Sequence, residues 1–150
     1  MISATPLIPA NRLRSFMRVV AAIGFVCAGA NHLLRPRFYQ QIVPPMFPAA
    51  VALVAISGVC EIVGGLALLI RPLRRAAGWG LVALLLAVFP ANVYMAVAPD
   101  RVPRGNLPVW VLWIRLPLQA VFIAWVWWVA RDRPRSPDPV DRKTLSHPAE

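Results

Sequence analysis

Five polar side chains that can bind a ligand or exchange a proton lie inside long apolar stretches of the sequence. They are His32, Glu61, Asn92, Arg115 and Gln119. A lone Glu or Arg deep in a membrane costs about 2.5 to 3.5 kcal/mol on insertion scales, so such residues turn inward and pair. Because a guanidinium can donate two parallel hydrogen bonds to a carboxylate, we expect Arg115 to pair with Glu61. The sequence therefore predicts one polar pocket that contains all five residues.

The segments that carry these residues are long and apolar enough to cross a membrane. The chain is 59% hydrophobic and 15% charged, with a mean hydropathy of +0.61. Segments of about 19 to 24 residues span the roughly 30 Å hydrocarbon layer, and they cover residues 16–34, 49–70, 76–98 and 107–130. A soluble bundle would show a polar stripe on every helix. These features predict an all-α fold, a transmembrane up-down four-helix bundle.

The basic residues indicate how the bundle is oriented. The net charge is +10, but the charges lie in the gaps between spans and do not form the basic patch that is typical of a nucleic-acid-binding protein. One side has 11 Lys or Arg residues: Arg12, Arg14, Arg18, Arg71, Arg74, Arg75, Arg131, Arg133, Arg135, Arg142 and Lys143. The other has 4: Arg35, Arg37, Arg101 and Arg104. This asymmetry predicts a multi-pass protein with both termini in the cytoplasm and the other two connections outside.

The spans divide the chain into three parts. Residues 1–14 form a cytoplasmic N-terminal segment, 15–130 the transmembrane domain, and 131–150 a polar, Pro-rich tail that we expect to be disordered and cytoplasmic. The first span resembles a signal peptide, but the spans that follow favour its retention. The first outer connection, "RPRFYQQIVPPMFP", is amphipathic. It is either an interfacial segment that caps the bundle or an ordinary linker.

Other residues in the spans are assigned structural roles. Cys27 and Cys60 lack CxxC spacing, so we expect buried thiols that behave as small hydrophobes. The tryptophans at both ends of the last span are expected to be interfacial anchors: Trp110, Trp113, Trp125, Trp127 and Trp128. Pro90 and Pro117 lie mid-helix, where each frees a carbonyl and helps to open a cavity. A lone intramembrane His does not make a metal site, so none is predicted.

Four stretches, one per span, resemble the DoxX-like family of membrane proteins. They are "GANHLLRPRFYQQIVPPMFP", "SGVCEIVGGLALL", "FPANVYMA" and "WIRLPLQAVFIAWVWW". The resemblance implies a small four-span protein of the bacterial inner membrane, with the five polar residues at the family's polar positions. It also implies a link to quinone-linked oxidation or to thiol redox complexes. The chain has no CxxC motif, which disfavours thiol exchange.

Two functions are compatible with these patterns. In the first, the pocket binds a quinone or a similar lipophilic molecule, no covalent cofactor is needed, and Glu61 relays protons. The protein is then the membrane subunit of a redox system with a redox partner protein, and its enzyme class is a quinone-linked oxidoreductase with no catalytic residue assigned. In the second, the polar cluster is structural and the protein is a non-enzymatic membrane anchor or assembly factor. A proton-coupled transporter ranks third.

Overall fold

The structure, a computed structural model, describes residues 10–102 and 108–131 of the chain. Within these residues the fold is all-α, as predicted, and contains no strand. The helices are α1 (Ala10–Leu34), α2 (Pro36–Ile42), α3 (Ala50–Ala67), α4 (Arg74–Val97) and α5 (Val109–Ala130). Single 3₁₀ turns, Arg71–Leu73 and Pro99–Arg101, lie on either side of α4. Residues 1–9 of the predicted N-terminal segment and 132–150 of the predicted disordered tail lie outside the described residues.

Helices α1, α3, α4 and α5 are the four predicted spans, since each is long and apolar enough to cross a membrane. Their bounds differ most from the sequence-based ones at two places. Helix α1 begins at Ala10, six residues before the predicted start, and α3 ends at Ala67 because the next residues form a tight turn. Large apolar side chains on all four helices face outward, for example Ile23, Val63 and Val121, each more than half exposed. A surface of this kind fits a lipid environment.

Helix α2 occupies the connection between the first two spans. Pro36 provides its first turn, where a missing N–H leaves no partner unsatisfied. Ile42 is buried against the end of α4 and the start of α5, in a cluster with Met95, Ala96 and Leu112. The second buried cluster lies at the opposite end of the helices and includes Leu68, Leu81, Val126 and Val129. The connection therefore packs on the helix ends, as a capping segment does.

Helices α1 and α3 meet backbone to backbone at two glycines. A Cβ atom added to Gly58 would lie 2.9 Å from the carbonyl oxygen of Gly29 and 2.9 Å from Cβ of His32. A Cβ atom on Gly29 would collide with the carbonyl oxygen of Gly58. The contact therefore needs the missing side chains. Gly80, in contrast, has open space around it.

Two arginines of α1 bind the C-terminal end of α5. Arg18 is buried, and its Nε donates to the carbonyl oxygen of Val129 at 2.9 Å. Arg14 donates through Nη1 to the carbonyl oxygen of Arg131 at 3.0 Å. The last carbonyls of a helix lack partners within the helix, so these side chains satisfy groups that would otherwise need water. The two arginines thus have a packing role in addition to their predicted effect on orientation.

The glycine contact predicts that Gly58→Ala destabilises the protein. The added methyl group must push α1 and α3 apart, and overpacking of this kind costs about 1 to 3 kcal/mol. Gly80→Ala is the matched control, since its methyl group meets no atom within 4 Å and Ala favours a helix by up to about 1 kcal/mol over Gly. Thermal unfolding in detergent measures both. Equal melting temperatures for Gly58→Ala and Gly80→Ala would contradict the close approach.

Candidate functional site

A cavity of about 780 Å³ lies between the helices, and its wall includes all five residues that the sequence selected. The volume is within the range of about 300 to 1,000 Å³ that is typical of small-molecule sites. The wall is mainly apolar, with aromatic side chains from α1, α2, α5 and the connection between α2 and α3, and polar side chains form a minor part of it. The polar side chains are His32, Tyr39, Ser57, Glu61, Asn92, Arg115 and Gln119.

The glycine contact places His32 of α1 against Ser57 and Glu61 of α3. His32 Nδ1 lies 3.1 Å from Ser57 Oγ and 3.8 Å from Glu61 Oε2. The first distance is a hydrogen bond, and the second is too long to be one. Ser57 and Glu61 are one helical turn apart, so both can face the same residue of α1. The side chains of His32 and Glu61 are only 14% and 10% exposed. They are less accessible than Arg115, the other charged residue of the wall, which is exposed.

Glu61 has no hydrogen-bond partner among the described residues. Its Oε2 atom is shielded from solvent and unpaired. Buried polar atoms in proteins are nearly always paired, and an unpaired one costs about 1 to 3 kcal/mol, more when it is charged. Because Glu61 lies in the wall of an apolar cavity, a bound molecule that forms a hydrogen bond with it can reduce this cost. Glu61 is therefore the residue in this cavity that most needs an external partner.

The predicted ion pair between Glu61 and Arg115 is not formed. Arg115 instead donates through Nη2 to Asn92 Oδ1 at 3.2 Å, and its side chain is exposed. The reason is depth. Arg115 lies about 9 Å along α5 from the helix start, whereas Glu61 lies about 16 Å along α3 from its start. The neutral amide of Asn92 is close to the guanidinium, so Arg115 stays near the cavity's exposed side and Glu61 remains without it.

The polar residues of α4 and α5 form a continuous chain of hydrogen bonds. From Arg115 the chain passes to Asn92, whose Nδ2 donates to Gln119 Oε1 at 2.7 Å. Gln119 in turn donates through Nε2 to the carbonyl oxygen of Leu85. In Asn92 and in Gln119, the oxygen and the nitrogen of the side-chain amide thereby each take part in a hydrogen bond. The predicted proximity of Arg115, Asn92 and Gln119 is what the structure shows, and it links α4 to α5.

The prolines contribute to this arrangement. Pro90 lies inside α4 and Pro117 inside α5, and both helices continue through them. The sequence predicted a free carbonyl near Leu86, four residues before Pro90. The carbonyl that accepts from Gln119 is the neighbouring one, that of Leu85. A side-chain amide thus bonds the backbone just before the proline, where irregular helix geometry is tolerated because it lines a cavity.

Three residues of the cavity wall were missed in the sequence. Ser57 was passed over as a small residue, although its spacing of four from Glu61 is the signal that could have found it. Tyr39 of α2 packs against His32 with the ring planes tilted by 55° and the ring centroids 3.9 Å apart, and it accepts a hydrogen bond from Asn31 at 2.7 Å. Trp125, expected to be an interfacial anchor, lines the cavity instead, and its Nε1 is buried without a partner.

The cysteines also differ from expectation. Cys27 and Cys60 were predicted to be buried, but both are free and exposed on the outer faces of α1 and α3. Neither lines the cavity around Glu61. In the described part of the chain, His, Cys, Asp and Glu side chains do not gather in groups of three that would hold a metal ion.

The hydrogen-bond chain predicts energetic coupling between Asn92 and Gln119. We expect Asn92→Leu and Gln119→Leu each to lower the free energy of unfolding, because each leaves the other amide unpaired. The double variant should lose less than the sum, with a coupling of about 0.5 to 1.5 kcal/mol. Leu86→Ala and Val121→Ala are the control pair, since both side chains face outward. Unfolding in mixed micelles measures all four, and additive losses for the amide pair would contradict the chain.

Comparisons with known proteins give a family but no activity. No curated protein and no solved structure matches the chain. The family model that matches is described as a domain of unknown function, DUF8561, and it covers residues 21–130, which is more than half of the chain. The predicted membership of the DoxX-like family is therefore wrong, and the redox associations which that resemblance implied do not carry over. The chain belongs to the DUF8561 family.

Proposed function

We propose that this protein is a multi-pass membrane protein that binds a lipophilic molecule with a polar head group in the cavity beside Glu61. The observation that carries the proposal is the buried, unpaired Oε2 atom of Glu61 in the wall of an apolar cavity. A ligand that bonds this carboxyl group offsets its desolvation. The same ligand fills space that neighbouring side chains leave empty, which adds dispersion and hydrophobic contributions.

A quinone or a related molecule is the ligand class that we propose for the cavity. Such a molecule needs an apolar slot for its ring and tail and a few polar groups for its oxygen atoms. The cavity wall offers aromatic and aliphatic side chains along most of its length, with His32, Glu61 and Arg115 as the polar groups. In this proposal the electrons come from a partner protein, so the protein acts as the membrane subunit of a redox system.

A structural function is the second candidate, and it is supported by a different set of residues. Arg115, Asn92 and Gln119 satisfy one another and link α4 to α5. Hydrogen bonds between membrane helices hold them in register. For these three residues a structural role accounts for the geometry, and a membrane anchor or assembly factor would need nothing more. This second function leaves Glu61 unexplained, and also the buried Nε1 atom of Trp125, which has no partner among the described residues.

The proposal includes an up-down bundle in the cell inner membrane with both termini in the cytoplasm. The contacts that support it run in opposite order along paired helices. A Cβ atom added to Gly65 would contact the carbonyl oxygen of Ala22, and one added to Gly58 would contact that of Gly29. Helices α1 and α3 are therefore antiparallel. The 11 to 4 distribution of basic residues supports the cytoplasmic assignment of the termini.

This topology predicts which connections a membrane-impermeant maleimide reaches. In a Cys27→Ala, Cys60→Ala background, Met46→Cys reports on the first connection and Leu73→Cys on the second. Both native side chains are exposed. In intact spheroplasts we expect labelling of Met46→Cys alone, and labelling of Leu73→Cys only after permeabilisation. The reverse pattern would invert the proposed orientation, and labelling of both in intact cells would contradict the up-down path.

The ligand proposal predicts that a lipophilic molecule co-purifies with the protein and depends on Glu61. We expect mild detergent extracts of the wild type to contain a quinone-like molecule by mass spectrometry. A hydrogen bond that a ligand hydroxyl group donates to the charged carboxylate of Glu61 contributes about 1.5 to 3 kcal/mol, so Glu61→Gln should retain roughly 10- to 100-fold less. Val63→Ala, on the outward face of α3, is the control and should retain the ligand.

Thermal unfolding of the same variants separates the two candidate functions. If Glu61 serves a ligand, ligand-free Glu61→Gln should be as stable as the wild type or more stable, because a neutral amide replaces an unpaired carboxyl group. A loss of stability with unchanged ligand retention would support the structural function. The absence of any lipophilic molecule from the wild type, together with no binding of added quinone, would contradict the ligand proposal.

A further inference from the structure

From the hydrogen bonds around His32 we infer that the ligand presents a hydrogen-bond-donating hydroxyl group, of the phenol or hydroquinone type, to His32 and Glu61. The inference rests on the proposed function and names the chemical form of the ligand that this site holds. Within the quinone class, the reduced form has such hydroxyl groups and the oxidised form has only carbonyl acceptors. The cavity should therefore prefer the reduced form.

The first step is the tautomer of His32. Ser57 Oγ lies 3.0 Å from the carbonyl oxygen of Val54 and donates its single hydrogen there. Ser57 Oγ can then only accept from His32 Nδ1, which lies 3.1 Å away. In a neutral imidazole a proton on Nδ1 leaves a lone pair on Nε2. Ser57 thus fixes Nε2 as an acceptor, and the described residues provide no donor to it.

The second step is the distribution of donors and acceptors along the cavity wall. Glu61 Oε2, which has no hydrogen bond, lies 3.8 Å from His32 Nδ1, so the two free acceptors, Glu61 Oε2 and His32 Nε2, belong to neighbouring side chains. The other charged group of the wall, Arg115, lies on the exposed side and already donates to Asn92. A carbonyl group that approaches either of these two atoms would face an acceptor. A hydroxyl group placed there donates to one of them, and even a protonated Glu61 leaves His32 Nε2 as an acceptor.

The third step is the shape of the surroundings. The ring of Tyr39 lies against His32 at a centroid distance of 3.9 Å, and its hydroxyl group is held by Asn31. Phe25, Phe47, Phe122 and Trp125 add aromatic faces to the cavity wall. Aromatic side chains pack on an aromatic ligand in offset or edge-to-face geometry. A hydroxyl group carried on an aromatic ring fits both the acceptors and these faces.

The test compares three ligands that differ only in their oxygen groups. They are a decyl-substituted hydroquinone, its dimethyl ether and the corresponding quinone, added under anaerobic conditions to the full-length protein in mild detergent. Quenching of tryptophan fluorescence or calorimetry measures binding. We expect the hydroquinone to bind about tenfold more tightly than the ether or the quinone, which cannot donate.

Variants of the same site show whether this preference comes from His32 and Glu61. His32→Phe keeps an aromatic ring against Tyr39 but removes the acceptor, and Glu61→Gln removes the carboxylate. Each should reduce the preference for the hydroquinone, while leaving the affinity for the ether within about twofold. Val63→Ala should keep the full preference. A ¹⁵N spectrum that shows the proton of His32 on Nε2 would overturn the tautomer on which the inference depends.

The outcomes distinguish this inference from the proposed function. If all three ligands bind with equal affinity, the cavity is a lipophilic site and the inference alone is wrong. If the quinone binds more tightly than the hydroquinone, the inference is also wrong, because the site then supplies a donor. If none of the three binds, both the inference and the proposal of a quinone-class ligand are wrong.

Discussion

The close contact between α1 and α3 is the constraint on which the arrangement of the cavity depends. With Gly29 and Gly58 facing each other, the two backbones approach to a distance that no side chain could occupy. His32 follows Gly29 by three residues, and Ser57 and Glu61 lie on either side of Gly58 in sequence and on one face of α3. The register of this contact therefore sets the distances from His32 to both. A shift of one residue would move Ser57 and Glu61 to another face of the helix.

The polar side chains of the cavity fall into two groups that differ in how far they are satisfied. On α4 and α5, Asn92 and Gln119 have partners for donor and acceptor atoms alike, and the exposed guanidinium of Arg115 extends the chain. On α3, Glu61 has none among the described residues. Satisfied groups stabilise helix pairing, whereas an unsatisfied carboxyl group lowers stability. The unsatisfied carboxyl group is the reason why the ligand proposal centres on α1 and α3.

Much of this architecture could be predicted from sequence because its physical cause is strong. Span length and apolarity give the four long helices, and the cost of lone polar groups in lipid brings His32, Glu61, Asn92, Arg115 and Gln119 to one cavity. The choice of partners could not be predicted in the same way. Arg115 and Glu61 differ in depth by about one helical turn or more, and a nearby amide decides which acceptor the guanidinium reaches. Hydropathy also cannot predict whether Trp125 faces lipid or the cavity, since both environments are apolar.

The two ends of the bundle have different physical roles. At one end Leu68, Leu81, Val126 and Val129 are almost fully buried, and Arg18 binds the last carbonyls of α5, so side chains fill the space between the helices. Toward the other end the wall includes α2 and the exposed Arg115. In the ligand proposal, the apolar tail of the ligand points toward the densely packed end and its polar head toward the end that carries the polar side chains. His32 lies in the last turn of α1 and packs on Tyr39 of α2, so it belongs to this second end, and its side chain and that of Glu61 are only 14% and 10% exposed.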